Sequence, residues 1–264
     1  MLASRLGLGY LPAMIDKPDS TATTHFGYRE VAEAEKASLV RDVFDSVAGK
    51  YDLMNDVMSL GVHRLWKAAM IDWLHPRDGM SLVDVGGGTG DIAFRFKAAG
   101  GGPVTVVDIN AEMLQRGRDR ALDRGILDGI EWVNGDAENL PLPEMSADAF
   151  TIAFCIRNVT HIARALEEAR RVLKPGGRFL CLEFSQVDEP WLAKLYDAYS
   201  FKVLPELGAR IADDRDAYQY LAESIRRFPD ADAFAAMIAD AGLANVKVRR
   251  LSGGIAALHS AWRV

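Results

Sequence analysis

A glycine-rich turn constrains the fold of this chain more than any other feature of its sequence. The segment 84–91 reads DVGGGTGD and holds four glycines within five positions. It follows the apolar run SLVDV (81–85) and precedes a helical pattern over 91–99. Glycines permit positive φ angles in a tight turn and let a ligand approach the backbone without meeting a Cβ. Such strand-to-helix turns lie where open α/β sheets bind ligands, so the sequence predicts a ligand loop here.

Short apolar runs alternate with helical patterns through the rest of the chain. Further strands are expected at 104–107, 130–133, 149–154 and 178–184, with two closing strands at 249–251 and 256–262. Helical patterns between them include 112–124 and 162–173. Strands that alternate with helices indicate a parallel sheet covered on both faces. The predicted fold class is therefore α/β.

Three parts of different character divide the chain. Residues 1–23 are expected to form a loose N-terminal extension. Residues 24–75 are interpreted as an N-terminal helical cap, with helical patterns at 30–46 and 55–74. Residues 76–264 form the predicted sheet domain, and its mostly helical stretch at about 190–241 is too long for a simple connection, so we expect a helical insertion over the sheet edge.

Composition limits the class of protein. The chain has 264 residues, of which 49% are apolar and 26% charged, and its formal net charge is −6. These values exclude intrinsic disorder and argue against general binding to nucleic acid. The longest uncharged stretch, Leu251 to Trp262, has 12 residues, whereas a membrane-spanning helix needs about 20. Cys155 and Cys181 form no disulfide framework, so a reducing, cytoplasmic location is expected.

The glycine turn fits two kinds of nucleotide-binding loop. Read from Gly88, it matches the G-x-G-x-x-A form of dinucleotide-binding folds. Read from Asp84, it matches D-x-G-x-G-x-G, the loop of class I S-adenosylmethionine (SAM) methyltransferases. Asp108, at the end of the second predicted strand, suits both because a carboxylate there accepts hydrogen bonds from ribose hydroxyls. The turn alone leaves an NAD-dependent oxidoreductase open beside a methyltransferase.

Two longer segments favour the methyltransferase. Residues 51–66 (YDLMNDVMSLGVHRLW) and 171–185 (RVLKPGGRFLCLEFS) resemble the two signatures of the ubiquinone/menaquinone biosynthesis C-methyltransferase family, UbiE. Shorter segments that resemble the family lie at 24–27, 156–159, 198–201 and 218–225. The similarity covers nearly everything after residue 23. It implies a class I SAM methyltransferase with a Rossmann-like, mostly parallel seven-stranded sheet and helices on both faces.

The resemblance also implies a reaction and a set of cofactor residues. The implied reaction is SAM-dependent methylation of a ring carbon of a prenylated benzoquinol (2-polyprenyl-6-methoxy-1,4-benzoquinol) or naphthoquinol (demethylmenaquinol). The residues expected to bind SAM are Gly86, Gly88, Thr89 and Gly90 in the loop, Asp108, the pair Asp136 and Ala137, and Ala153. Family members often carry Ser at the position of Ala153, so a backbone contact is expected there. Cys155 stands where the family commonly has Gly.

The chemistry calls for a cation or a base beside the quinol, because a ring carbon becomes nucleophilic when its hydroxyl loses a proton. Arg157 and Asn158 follow the fourth predicted strand. We expect Arg157 to stabilise the developing oxyanion or polarise a water, and Asn158 to orient the ring oxygens; backbone hydrogen bonding within a loop is the competing interpretation. Tyr51 is expected to close over SAM or the quinol. The proton acceptor stays open between Arg157 with water, Tyr51 and the substrate's surroundings, with His63 as a weaker base.

Other functions and partners remain open. The alternatives are a methyltransferase for other small molecules and a non-catalytic SAM-fold subunit of a quinone-biosynthesis complex. No metal is expected, because no set of His, Cys and carboxylates has ligand spacing. A prenylated substrate implies a partner complex, a second copy of the chain, or at most peripheral contact with the inner membrane surface (the matrix side in a mitochondrion). We expect an apolar entrance between 51–66 and the insertion.

Overall fold

A seven-stranded sheet forms the centre of the molecule. The computed structural model describes residues 22–47, 51–187, 191, 194, 196, 198–203, 206 and 215–264. The N-terminal elements are β1 (Thr23–Phe26), β2 (Arg29–Ala32), α1 (Glu33–Val47), α2 (Tyr51–Ser59) and α3 (His63–Leu74). They are followed by β3 (Leu82–Val85), α4 (Asp91–Ala98), β4 (Val104–Asp108), α5 (Ala111–Asp123), β5 (Ile130–Asn134), β6 (Ala147–Ala153), α6 (Ile162–Val172), β7 (Leu173–Phe184), α7 (Arg215–Arg227), α8 (Ala231–Asp240), β8 (Ala244–Leu251) and β9 (Ala256–Trp262).

The strand order places a ligand crevice at the first strand of the sheet. The order is β5-β4-β3-β6-β7-β9-β8. Strands β3 to β7 pair in parallel, and β9 runs antiparallel to β7 and β8. The chain moves from β3 outward to β5 and then returns to the other side of β3 as β6. Open sheets bind ligands at such a switch point, beside the carboxyl ends of the strands. The predicted α/β class and mostly parallel seven-stranded sheet are confirmed.

Two apolar clusters cover the two faces of the sheet, because neighbouring side chains of a strand point to opposite sides. On β7, Leu180 belongs to one cluster and Phe179 to the other. The first cluster takes buried residues from α2, α3, α4 and α7, and the second takes them from α6 and α8. The apolar runs read from the sequence thus form a sheet that is buried on both faces.

The N-terminal region contains a hairpin that the helical prediction for 30–46 did not include. Helix α1 begins at Glu33, because residues 29–32 form β2 and pair antiparallel with β1. Gly27, at φ +58°, makes the turn, and a Cβ there would lie 2.3 Å from a carboxylate oxygen of Glu223 on α7. The helical pattern at 55–74 is also interrupted: α2 ends and α3 begins around Leu60 and Gly61, whose φ angles are +51° and +78°.

The closing strand β8 is longer than the predicted 249–251 and begins at Ala244. Apolar and polar residues alternate in this edge strand, so a search for apolar runs misses its first half. Helices α7 and α8 fall within the predicted insertion at about 190–241, whereas most of 188–214 lies outside the described residues. Residues 1–21 lie outside them too, so the predicted domain boundaries stay predictions.

Candidate active site

A cavity of about 340 Å³ lies at the carboxyl ends of β3, β4, β5 and β6. Its volume falls in the range of small-molecule sites, roughly 300–1,000 Å³. Helix α1 forms one wall, and the loops after the four strands form the rest. The predicted site residues that line it are Gly86, Gly88, Asp108, Asp136, Ala137 and Asn158. The structure thus brings together six residues from four separate loops.

Two of the loop glycines have positive φ angles and lie where a Cβ would meet a neighbouring side chain. Gly86 has φ +62°, and a Cβ there would lie 2.2 Å from Cys155 Sγ. Gly88 has φ +52°, and a Cβ there would lie 3.1 Å from Met113 Cε. Gly90 does not line the cavity; it precedes α4 at φ +83° and lies against the Trp132 ring, 2.6 Å from the Cβ position. Its place in the loop is explained by packing.

A buried carboxyl group on β3, that of Asp84, packs against the glycine loop. Asp84 is fully buried on β3, and its Oδ1 accepts a hydrogen bond from the Thr151 hydroxyl at 2.7 Å. Among the described residues its Oδ2 has no hydrogen-bond partner, and it lies 2.6 Å from where a Cβ of Gly87 would be. Burial raises the pKa of Asp84 to about 7, although Thr151 and Lys67 oppose the rise. The close approach of this carboxyl group therefore requires glycine at position 87.

Asp108 ties the loop to the end of β4. Its Oδ2 accepts a hydrogen bond from Gly88 N at 2.9 Å, and its Oδ1 accepts one from Asn110 N at 2.8 Å. Burial raises the pKa of Asp108 to about 6, and these two N–H groups limit the rise. Asn110 also caps α5 by accepting from the backbone N–H groups of Glu112 and Met113. The carboxylate is thus held rigidly at the cavity wall.

The loop after β5 contributes Asp136 and Ala137 to the cavity. Asp136 is exposed, and its Oδ1 accepts a hydrogen bond from Glu138 N at 2.9 Å, as in an Asx turn. Asn134 fixes the neighbouring loop by donating from Nδ2 to the carbonyl oxygens of Asp108 and Ile109. The loops after β4 and β5 are therefore held together at one end of the cavity.

Besides Gly90, two further predicted SAM contacts do not line the cavity. The Thr89 hydroxyl accepts a hydrogen bond from Arg120 Nη1 at 2.6 Å, and the residue is buried. Ala153 is the last residue of β6 and pairs with Leu182 of β7. The side chain of Thr89 is thus directed to α5, and Ala153 belongs to the sheet ladder.

The predicted catalytic residues Arg157 and Asn158 are neighbours on the 3₁₀ turn Ile156–Asn158 after β6, but their side chains have different surroundings. Asn158 lines the cavity, and its Oδ1 accepts a hydrogen bond from the Tyr220 hydroxyl at 2.9 Å. Arg157 turns away from the cavity lining and forms a buried ion pair with Glu183 at 2.8 Å. Its Nη1 also donates to Phe154 O at 2.7 Å. Burial raises the pKa of Glu183, and Arg157 opposes that rise.

Two further predicted site residues, Tyr51 and His63, belong to α2 and α3. Tyr51 is the first residue of α2, and its side chain lies outside the described part of the structure. His63 is buried on α3, where its Nε2 lies 2.9 Å from Asp56 Oδ1. Burial lowers the pKa of His63, and Lys67 lowers it further. His63 is not among the residues that line the cavity, so its geometry does not favour a role as base.

The α1 wall is the part of the site that sequence reasoning did not identify. Its first turn is joined to the loop after β6 because His161 lies between two carboxylates, with Nδ1 2.6 Å from Glu138 and Nε2 3.1 Å from Glu33. Near its other end, Asp45 accepts a hydrogen bond from Asn110 Nδ2 at 2.6 Å. The amphipathic pattern of α1 predicts a buried face, but it does not say which element that face covers.

No helix among the described residues is long and apolar enough to cross a membrane. Within the same residues, no group of three or more His, Cys, Asp or Glu side chains is arranged to hold a metal ion.

The chain matches one family model and relatives that share one name. Residues 29–263 match the model of the ubiE/COQ5 methyltransferase family. A Roseobacter denitrificans protein named ubiquinone/menaquinone biosynthesis C-methyltransferase UbiE is 58% identical over 247 residues, which cover 93% of this chain and 99% of that protein. A protein of the same name from Rhodopseudomonas palustris is 59% identical and covers 92% of this chain and 98% of its own length.

Solved structures show the same fold at low sequence identity. A SAM-dependent methyltransferase of Thermotoga maritima superposes with a TM-score of 0.60 at 22% identity, covering 84% of this chain and 99% of that chain. A SAM-dependent methyltransferase of Aquifex aeolicus gives a TM-score of 0.56 at 18% identity, over 75% and 89% of the two chains. The sheet and its crevice are therefore those of a known methyltransferase fold.

Proposed function

This chain belongs to the ubiE/COQ5 methyltransferase family, and we propose that it transfers the methyl group of SAM to a ring carbon of a prenylated quinol. The proposed substrates are 2-polyprenyl-6-methoxy-1,4-benzoquinol and demethylmenaquinol, in ubiquinone and menaquinone biosynthesis. The observation that carries the proposal is the cavity between the glycine loop and Asp108, in a chain 58% and 59% identical to two relatives named as ubiquinone/menaquinone biosynthesis C-methyltransferases. The family match favours the D-x-G-x-G-x-G interpretation of the loop over the dinucleotide interpretation.

The chain has residues that fit SAM in this cavity. Gly86 and Gly88 line the cavity and have no Cβ, so a ligand can approach the loop backbone there. Asp108 is proposed to accept hydrogen bonds from ribose hydroxyls, and Asp136 with Ala137 is proposed to hold the adenine. Thr89, Gly90 and Ala153 stabilise the surroundings of the cavity. Thr89 bonds to Arg120 of α5, Gly90 packs against Trp132, and Ala153 pairs with Leu182 of β7.

The charge of the cavity also suits a sulfonium ligand. Four carboxylates line it, those of Glu33, Asp108, Asp136 and Glu138, against the two guanidinium groups of Arg41 and Arg164. SAM supplies a methyl group already activated on its sulfonium. What remains for the protein is to hold the ring carbon in line with that methyl, and positioning of this kind contributes roughly 7–11 kcal/mol to rate enhancement.

Asn158 and Arg157 are the proposed residues for the quinol. Asn158 lines the cavity, and its buried Nδ2 has no partner among the residues described, so we propose that it donates to a ring oxygen. Arg157 remains the proposed source of positive charge for the developing oxyanion. Its ion pair with Glu183 takes up part of that charge and also fixes the turn that carries Asn158. Tyr51, at the start of α2, is proposed to close over the bound ligands.

A groove on the surface is the proposed entrance for the prenyl tail. It lies between the α2–α3 connection and Tyr199 and has a volume of about 610 Å³. Leu60, which lines it, is 75% exposed, and Leu65 close by is 69% exposed. Exposed apolar side chains next to a groove mark a surface that binds apolar partners. We propose a cytoplasmic protein that meets its substrate by peripheral membrane contact or within a quinone-biosynthesis complex.

The quinone content of cells tests this proposal. Cells that lack the protein are expected to accumulate a quinone without the ring methyl group, because the ring carbon is no longer methylated. Expression of the unchanged chain should restore the methylated quinone, whereas the Asp108→Ala variant should not. A normal quinone profile in the cells that lack the protein would contradict the proposed function.

A further inference from the structure

Asn158 lies at the cavity wall and has a buried amide group. The residue is 7% exposed and lines the cavity, and its Nδ2 makes no hydrogen bond to any of the residues that the structure describes. An unsatisfied buried donor destabilises the folded chain, so native proteins rarely keep one unless a ligand or water completes it. The amide therefore points to a hydrogen-bond acceptor on a ligand in the cavity.

The direction of this amide depends on Tyr220 of α7. The Tyr220 hydroxyl donates to Asn158 Oδ1 at 2.9 Å. Burial raises the pKa of Tyr220 well above its usual value, so the hydroxyl keeps its proton and acts as a donor. Because that proton needs an acceptor, the Asn158 carboxamide is oriented with its oxygen toward Tyr220, which leaves its NH₂ group without that partner.

The N-terminal hairpin in turn holds the ring of Tyr220. The Phe26 ring stacks on it with the centroids 4.1 Å apart and the planes 17° apart. The hairpin is fixed to the same helix, because Tyr28 N donates to Glu223 Oε2 at 2.9 Å and the Gly27 turn packs closely on that side chain. The Phe26 ring thus holds Tyr220 directly, and the two contacts with Glu223 hold the hairpin on the same helix.

We propose that Tyr220 is a positioning residue for methyl transfer, which fixes the Asn158 carboxamide with its NH₂ group aimed at a ring oxygen of the quinol. Phe26 and the hairpin complete this arrangement by fixing the Tyr220 ring. The inference rests on the proposed function, since the acceptor is an oxygen of the quinol. Tyr220 touches neither the cavity nor the reacting atoms; it acts through Asn158.

A double-mutant cycle tests the role in catalysis. Tyr220→Phe keeps the stacked ring and removes the hydroxyl, so kcat at saturating SAM and quinol should fall roughly two- to twelvefold, as expected for one lost hydrogen bond. The dissociation constant for SAM should not change. In the Asn158→Ala background, Tyr220→Phe should cause no further fall in kcat. Tyr218→Phe is the matched control, because Tyr218 is buried on the same helix, whereas the hydroxyl that donates to Asn158 is that of Tyr220.

A second measurement needs no substrate. In protein labelled with ¹⁵N-asparagine, the Asn158 side-chain amide signals are assigned by their loss in Asn158→Ala. These signals should shift in Tyr220→Phe and stay in place in Tyr218→Phe.

Three results would overturn the inference: an equal fall in kcat in both backgrounds, an effect confined to SAM affinity, or unchanged amide signals in Tyr220→Phe. Failure of the proposed function is recognised separately, because the unchanged chain would then not methylate the quinol at all.

Discussion

The two sides of the cavity are built in different ways. The loop side comprises residues 84–91 and 108–110, and the part of it that lines the cavity is glycine backbone bonded to the Asp108 carboxylate, as in the Gly88–Asp108 bond across 20 residues. Side chains beneath this loop reach further, since Asp84 bonds to Thr151 across 67 residues and Asn110 bonds to Asp45 across 65. The turn side comprises residues 154–161, and its side-chain contacts span 62 residues from Tyr220 to Asn158 and 128 residues from His161 to Glu33. The loop side thus presents mainly backbone to the cavity, whereas the turn side presents side chains that remote elements hold.

This difference predicts where mutations act. Changes on the loop side should weaken SAM binding while the fold survives, because the sheet beneath it is independently packed. Changes on the turn side should affect folding or the quinol step, because the same side chains that shape the site also join distant elements.

The largest expected effect is on the buried ion pair of the turn side. Glu183→Gln leaves the Arg157 guanidinium buried without its counter-charge, which should lower the free energy of unfolding by roughly 3–5 kcal/mol. Urea denaturation measures the change. Glu112→Gln is the matched control, because Glu112 pairs with Arg116 at an exposed site and should change the unfolding free energy by at most about 0.5 kcal/mol. Similar losses in the two variants would contradict the difference between buried and exposed pairs.

On the loop side, Gly86→Ala should lower SAM affinity roughly 100-fold, since backbone strain and overpacking each cost about 1–3 kcal/mol. The new Cβ meets Cys155 Sγ at 2.2 Å, at a φ angle of +62°. Gly125→Ala separates the two causes, because Gly125 also has a positive φ but no atom within 4 Å of its Cβ position. Calorimetry with SAM measures the affinity.

A second substitution tests the steric cause directly. Adding Cys155→Gly to Gly86→Ala removes the Sγ that the new methyl group meets, so part of the SAM affinity should return. If Gly86→Ala binds SAM as tightly as the unchanged chain, the loop is not the cradle of the cofactor.

Asp108 gives the loop side a predicted pH dependence. Because burial raises its pKa to about 6, the carboxylate is charged above that pH and gains a proton as the pH falls through it. SAM affinity should therefore be constant above about pH 7 and fall below about pH 6. Asp108→Asn should weaken binding roughly 10- to 100-fold at neutral pH, as for loss of a charge-assisted hydrogen bond, and should remove the pH step.

Asp84 provides the control for this pH profile, because burial raises its pKa to about 7 and it titrates in a neighbouring range. The Asp84→Asn variant should keep the step at about pH 6. If the step disappears in Asp84→Asn and persists in Asp108→Asn, the assignment to Asp108 is wrong.

The smallest expected effect is at the junction between α1 and the turn side. His161→Ala removes the imidazole between Glu33 and Glu138, which are partly exposed, so SAM affinity should fall by about two- to fivefold. Glu33→Gln should add little to the loss in His161→Ala, because the two residues share one contact. Fully additive losses of SAM affinity in the double variant would show that the contact between His161 and Glu33 does not hold α1 over the cavity.

The two sides also differ in how much of them the sequence predicts. The sheet and the place of Gly86, Gly88 and Asp108 are predictable, because glycine at a strand-to-helix turn and a carboxylate at the next strand end are local features. The direction of the Thr89 side chain is not predictable, because no local pattern shows that its hydroxyl accepts a hydrogen bond from Arg120. The junction of His161 with Glu33 and the stack of Phe26 on Tyr220 join segments far apart in the chain, and periodicity carries no such information. The start of α1 was predicted too early because β2 is only four residues long.

Transfer of an isotopically labelled methyl group tests the central claim most directly. The purified 264-residue chain is mixed with SAM that carries a deuterated methyl group and with a short-chain quinol that lacks the ring methyl, and the product is analysed by mass spectrometry and NMR. We expect the label on a ring carbon, with slower transfer in Asp108→Asn and Asn158→Ala. Label on a quinol oxygen, or no transfer while SAM is bound, would contradict the account.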